Sequence, residues 1–180
     1  MYMRKLWLKM TDRRFRAALA AVEETGAALG DLESKPASAP VFFRPLKAAL
    51  AASASGAPSG QASAQARADA EEFLLRLERV FADLALHGTR PDAAAREALL
   101  RLQRACAEAG SLASTGRRAA AAEQIRGLCA GSRRVLELAR GAAAAAPGDF
   151  PQNLKFSSIY SGLGDATDAF ERCAEALFKV

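Results

Sequence analysis

Asp149-Phe-Pro-Gln-Asn-Leu-Lys-Phe-Ser-Ser-Ile-Tyr-Ser-Gly-Leu-Gly-Asp-Ala-Thr-Asp-Ala-Phe-Glu-Arg-Cys-Ala-Glu-Ala-Leu-Phe-Lys-Val180 governs how the rest of the chain is read. From Lys155 onward, Phe156, Ile159, Tyr160, Leu163, Thr167, Phe170, Cys173 or Ala174, and Leu177 recur at three- and four-residue spacing. That spacing is one face of an α-helix. Asp165, Asp168, Glu171 and Glu175 fall between these positions at spacings of three and four, so they form a carboxylate row on the same helix.

Working back from this helix, five more helical stretches can be read. The first covers about 12–33, with Phe15, Leu19, Val22, Ala27 or Gly26, and Leu29 on one face and Thr11 or Asp12 as N-cap. The second covers about 41–53, its first turn bracketed by Pro40 and Pro45. The third, about 61–86, carries the strongest apolar stripe in the chain: Phe73, Leu74, Leu77, Val80, Phe81 and Leu84. Gly88 closes it, and Asp92 caps the fourth, about 93–109, which turns Leu99, Leu102 and Cys106 inward. The fifth covers about 115–145, with Ile125, Leu128, Cys129, Val135, Leu136 and Leu138 as its apolar residues. Gly127 and Gly131 interrupt it, which implies a close helix approach or a kink. Pro147-Gly148 ends it.

The expected fold is therefore all-α: an elongated antiparallel bundle of about six helices in a single domain, 1–180. Residues 51–60, rich in Ala, Ser, Gly and Pro, read as a flexible loop inside it. Composition agrees. The chain is 51% hydrophobic but only 7% aromatic, because much of the apolar content is alanine, the best helix former. No run of β-branched residues supports a strand.

Most catalytic chemistry lacks its residues. His87 is the single histidine, at a helix end before Gly88, so no Cys–His pair and no paired Glu-x-x-His iron motif can be built. Ser161-Gly-Leu-Gly-Asp165 is a short imitation of a phosphate loop within a helix. Cys106, Cys129 and Cys173 are widely spaced among apolar residues and read as buried free thiols in a reducing cytoplasm. No apolar run is long enough to span a bilayer. Nucleic-acid binding lacks a motif and stacking aromatics. Residues 1–16 hold Arg4, Lys5, Lys9, Arg13, Arg14 and Arg16 against Asp12 alone, with Leu6, Trp7 and Leu8 among them. This basic start reads either as a terminus that packs or frays, or as a segment that lies on a partner or associates peripherally with a membrane surface. The acidic row has two readings as well. It is a solvated stripe, or, if facing helices add ligands, part of a cation site built around Asp165, Asp168 and Glu171.

Leu154-Lys155, Ile159-Tyr160, Leu163, Asp165-Ala166-Thr167-Asp168, Glu171 and Ala174 together resemble the C-terminal segment of the PhoU-like family of phosphate transport regulators, in its short branch that accompanies Pit-type permeases. The resemblance implies a helical bundle that regulates inorganic phosphate transport by binding a protein partner such as a phosphate permease, without catalysis. It also implies a di- or trinuclear metal site in which an acid, three residues and an Asp recur on facing helices. This chain departs from that pattern. Gly164 stands where the first acid of the last-helix motif belongs, and the fifth helix offers Gly131-Ser-Arg-Arg134 in place of acids. The third helix keeps Asp69, Glu71 and Glu72 in another spacing. The expectation is a weak or absent metal cluster, with the arginines repelling a cation or pairing with Asp168. The other readings are a phasin-like or secretion-associated helical interaction protein, and a carboxylate metal-binding bundle; self-association into a homo-oligomer stays open in each.

Overall fold

The computed structural model describes residues 12–55, 60–114, 116–145 and 150–180. Six α-helices fill them: α1 Arg13–Ser34, α2 Ala39–Ser53, α3 Gln61–Leu86, α4 Ala93–Ala109, α5 Arg118–Ala145 and α6 Phe150–Lys179. Short 3₁₀ turns, Pro36–Ser38 and Gly110–Ala113, join α1 to α2 and follow α4. Among the described residues there is no strand, and no helix is long and apolar enough to cross a membrane.

The helix ends show why the chain breaks where it does. The Asp12 carboxylate accepts the backbone N–H groups of Arg14 (2.9 Å) and Phe15 (3.2 Å), capping α1. Asp92 does the same for Ala95 at 2.8 Å, at the start of α4. Gly88, at φ +57°, takes the left-handed conformation that glycine adopts without strain. It lets the Gly88 and Thr89 N–H groups reach the carbonyls of Ala85 (3.2 Å) and Leu84 (3.1 Å), which ends α3.

Helices that follow one another in the chain run antiparallel, and so do α3 and α6. Along α3 and α6, Asp69 meets Arg172, Arg76 meets Asp165 and Val80 meets Gly162, so one number rises as the other falls. The same reversal relates α4 to α5 through Glu108–Gln124 and Arg101–Gly131, and α5 to α6 through Arg118–Leu177 and Ser132–Thr167. The helices form two layers of three, α1–α2–α3 and α4–α5–α6. α1 packs on α4 and α3 on α6 between the layers, while α2 and α5 lie on the outside. The core is continuous. The six stripe residues of α3 are all buried, and Phe73 meets Phe170 of α6 with ring centroids 5.4 Å apart.

Several expectations need correction. α6 begins at Phe150 rather than near 155, because Pro151 falls in the first turn, where no intrahelical N–H bond is required. α2 begins at Ala39 and runs through Pro45. The carbonyl that Pro45 cannot serve belongs to Val41, which is 70% exposed, so water can satisfy it. The segment 51–60 is helical as far as Ser53, while 56–59 lie outside the described residues. α5 starts at Arg118 instead of about 115; Thr115, Thr11 and Pro147-Gly148 also lie outside the described residues. Leu138 is 67% exposed, since it lies two residues and about 200° around the helix from buried Leu136. The glycines of close approach are not those of α5. Gly127 faces open space and Gly131 faces the mobile end of Arg101. Instead, a Cβ on Gly26 would lie 2.5 Å from Cys106 Cβ, and one on Gly162 would lie 2.8 Å from Val80. Gly26, not Ala27, sits on the buried face of α1.

Candidate functional site

The carboxylate row of α6 lies between two neighbours, α3 and α5, and divides between them. Successive positions three residues apart drift by about 60° around a helix. Asp165 therefore leans toward α3, where Arg76 approaches its carboxylate at 3.5 Å. Asp168 and Glu171 lean toward α5. There the Arg133 guanidinium donates from Nη1 to both, at 3.0 Å to Asp168 and closer still to Glu171. One arginine thus occupies the space between the two acids. The three acids come together as a row on one helix but not around a common centre.

A second set of charges lies one to two turns along the α3–α6 seam. Arg172 of α6 reaches Asp69 at 3.5 Å and Glu72 at 3.0 Å. Glu72 also receives Arg76 at 3.1 Å, and Arg67 pairs with Glu71 at 2.9 Å. Asp69 is only 5% exposed. Its carboxylate keeps two partners, Arg172 and the Gln65 side-chain amide at 3.0 Å, as a buried acid requires. The hydrogen bond from Arg76 holds the Glu72 carboxyl below its ordinary range; partial burial opposes this, and the charge of Arg172 adds to it. Arg133 is held more firmly protonated than a free arginine, first through its hydrogen bond to Glu171.

Beneath the α5–α6 ion pair the surface turns apolar. The Cys129 thiol is pushed up to about 12, first by burial and then by the charge of Glu171, with Arg133 opposing. Burial likewise raises Cys106 and Cys173, and the Cys173 thiol donates to the Ala66 carbonyl at 3.4 Å. All three cysteines are free and buried, as expected. Close by, the hydroxyls of Ser132 and Thr167 lie 3.5 Å apart across the helix interface. His87 is exposed at the end of α3, as expected.

Tyr160 anchors α6 at the far end. It is buried, its hydroxyl donates to the free oxygen of the Asp92 carboxylate that caps α4, and its ring stacks on Phe156 at 6.0 Å. Burial, and then Asp92, raise the tyrosine above its ordinary range.

This arrangement does not suit a metal cluster. The cation site that the family resemblance implies would need carboxylates from facing helices aimed at one point. Here α5 supplies a guanidinium at that point, and among the described residues no group of three or more His, Cys, Asp or Glu is placed to hold an ion.

Sequence reading left Arg133 and Arg134 either repelling a cation or pairing with Asp168, of which Arg133 makes the pair, but it missed Arg76 and Arg172. A signal for them existed. Asp69 lies three residues after Ala66 and four before Phe73, on the apolar face of α3. An acid at such a position calls for a cation from the facing helix. The Tyr160–Asp92 bond had no comparable signal, since the two residues are 68 positions apart.

Compared with protein-family models, with curated proteins and with solved structures, the chain finds no match.

Proposed function

We propose that this bundle is a non-catalytic regulator of inorganic phosphate transport that acts by binding a protein partner, a phosphate permease in particular. The observation that carries the binding reading is the Arg133 guanidinium seated between Asp168 and Glu171. The acids that could otherwise gather a reactive ion are used in holding helices together. What remains for function is the surface of a firmly packed bundle, and such a surface works by docking. The assignment to phosphate transport rests on the sequence of α6, whose Ile159-Tyr160 and Asp165-Ala166-Thr167-Asp168 resemble the PhoU-like segment.

The test is an affinity purification of the tagged protein from its native cells, followed by mass spectrometry. Enrichment of an inorganic phosphate permease over a tag-only control is the expected result. Reproducible enrichment of other partners without any permease would remove phosphate transport from the reading and leave a general interaction bundle.

A further inference from the structure

The outward faces of the helices differ in charge. α6 turns Asp165, Asp168, Arg172 and Glu175 to the outside, and α5 turns Glu123, Arg126, Arg134 and Glu137. α3 does not. Beyond Gln61 and Gln65, its exposed side chains are Ala68, Leu75, Arg79, Ala82 and Leu86. Ala68, Leu75 and Ala82 follow one another at seven residues, the repeat of a helix that packs on another helix. Leu75 is 49% exposed and Leu86 79%. α2 lies alongside, and between Val41 and Ala52 its exposed side chains are apolar apart from Arg44.

The middle of this seam is a hollow of about 490 Å³. Ala68 and Leu75 floor it, with Glu71 and Glu72 on the rim toward the start of α3 and Arg76 and Arg79 on the rim toward its end. A rim that is acidic at one end and basic at the other complements itself when turned end for end. The ion pairs within one chain leave part of this charge unmatched. Glu71 pairs with Arg67 and Glu78 with Lys47. Asp69, Arg172, Glu72, Arg76 and Asp165 form a chain of three acids and two bases. The side chains of Glu71 and Glu72 stay 41% exposed, open to a further cation. Among the described residues, the Arg79 and Arg44 side chains make no ion pair, and neither does Asp83, one turn past Arg79.

We infer that a second copy of the chain docks on this face, with a two-fold axis beside Leu75. Glu72, three residues before Leu75, lies about 60° around α3 from it, and Arg79, four residues after, lies about 40° around on the same side. The axis reverses height and keeps side. Arg79 of each copy therefore meets Glu72 of the other, one pair above and one below the contact between the two Leu75 side chains. Glu71 lies about 40° to the other side of Leu75, toward α2. The Lys47–Glu78 pair sets Arg44, one turn before Lys47, beside the α3 turn that follows Glu78. Arg44 of each copy then meets Glu71 of the other, and Ala68 meets Ala82. Both cations that lack a partner in one copy gain one in two. Acids and bases balance over this face in a chain of net charge +5, so two copies meet here without mutual repulsion. A lipid surface or an unrelated helix would account for the apolar seam but not for the reversal of charge about Leu75.

From Gln65 to Leu86 the seam is about 31 Å long and, with α2 beside it, about 20 Å wide, a footprint of roughly 600 Å² per copy against roughly 800 Å² in a standard interface. The dimer should therefore be a micromolar one. The test is sedimentation velocity of the purified chain from about 1 to about 300 µM, where a reversible monomer–dimer equilibrium with a midpoint of roughly tens of micromolar is expected. Leu75→Glu should weaken it at least about tenfold, and Arg44→Glu or Glu71→Arg alone about fivefold. The double variant Arg44→Glu/Glu71→Arg should recover to within about twofold of the parent, because the swapped charges again face each other across the axis. Leu138→Glu, on the outside of α5 at 67% exposure, should change the midpoint by less than about twofold. Leu75→Cys should form a disulfide-linked dimer under mild oxidation and Leu138→Cys should not, the native thiols being buried. Circular dichroism checks that each variant folds. A chain that stays monomeric at about 300 µM, with or without sedimenting on lipid vesicles, would overturn the inference. So would a dimer indifferent to Leu75→Glu, equal losses for Leu75→Glu and Leu138→Glu, or a double variant no better than its single parents. The purified chain meets no permease in these experiments, so their outcome is independent of that reading.

Discussion

Removing Arg133 leaves Asp168 and Glu171 one turn apart on α6 with no cation between them. Arg133→Ala should cost about 1 kcal/mol, a modest figure because the pair is partly open to solvent. In a urea-unfolding cycle with Glu171→Ala, the double variant should be more stable than the sum of the single losses predicts. Strict additivity would mean that the guanidinium does not act on Glu171. At the other end of α6, Tyr160→Phe should cost about 1 kcal/mol, since it strands one oxygen of a capping carboxylate. Asp92→Ala should cost more, about 1–2 kcal/mol, because the α4 cap and the tyrosine partner are lost together. Equal stability of these two variants would show that Tyr160 and the cap are not linked. Glu72 gives a pH signature. Its folded pKa lies below the ordinary glutamate range, so its contribution is complete above about pH 4.5 and is lost as pH falls through the lowered value. Glu72→Gln should therefore destabilise by a few tenths of a kcal/mol near pH 6, and the loss should shrink as pH falls below about 4.5. A difference that does not change with pH would contradict the pairing with Arg76 and Arg172.

Elements were legible where local chemistry marked their ends. The Gly88 turn and the Asp92 cap bound α3 and α4 at the residues the sequence indicates, because both signals act within a few positions. The start of α6 was not legible. Pro151 reads as a breaker unless it falls in the first turn, and only the packed structure determines that. Glycine was misread for a similar reason. Gly127 stands out inside a helix, yet what matters is what faces it across the interface. Two substitutions separate the cases. Gly127→Ala meets nothing within 4 Å and should stabilise by about 0.5–1 kcal/mol through helix propensity. Gly26→Ala drives a methyl into Cys106 and should destabilise by about 1–3 kcal/mol. Thermal melts of the two variants would be expected to move in opposite directions. A stabilising Gly26→Ala would mean that α1 and α4 can separate at little cost.

At the scale of the whole molecule, the bundle was readable because one alternation of apolar residues recurs in all six helices. The layering was not. That α2 and α5 lie outside, with α3 on α6 as the central seam, depends on pairings between residues more than 80 positions apart, such as Asp69 with Arg172. The candidate site shares this limit: its acids could be found along one helix, but the arginines that claim them come from two others. The thiols report on the packed whole. Cys106, Cys129 and Cys173 should resist an aromatic disulfide reagent in the native state, and all three should react once urea unfolds the chain. A fast-reacting thiol in the native protein would reveal a layer that opens on its own.

The strict alternation of six helices also sets how the fold bears load. The start of α1 and the end of α6 share a pole. A tension drawn between them peels these helices away turn by turn, breaking contacts in series like a zipper. Helices pulled from opposite poles would instead slide against each other and resist together. Stretched through these two ends, the bundle should yield at low force despite its dense core, starting beside Arg14 and Leu177 and travelling toward Asp92 and Tyr160.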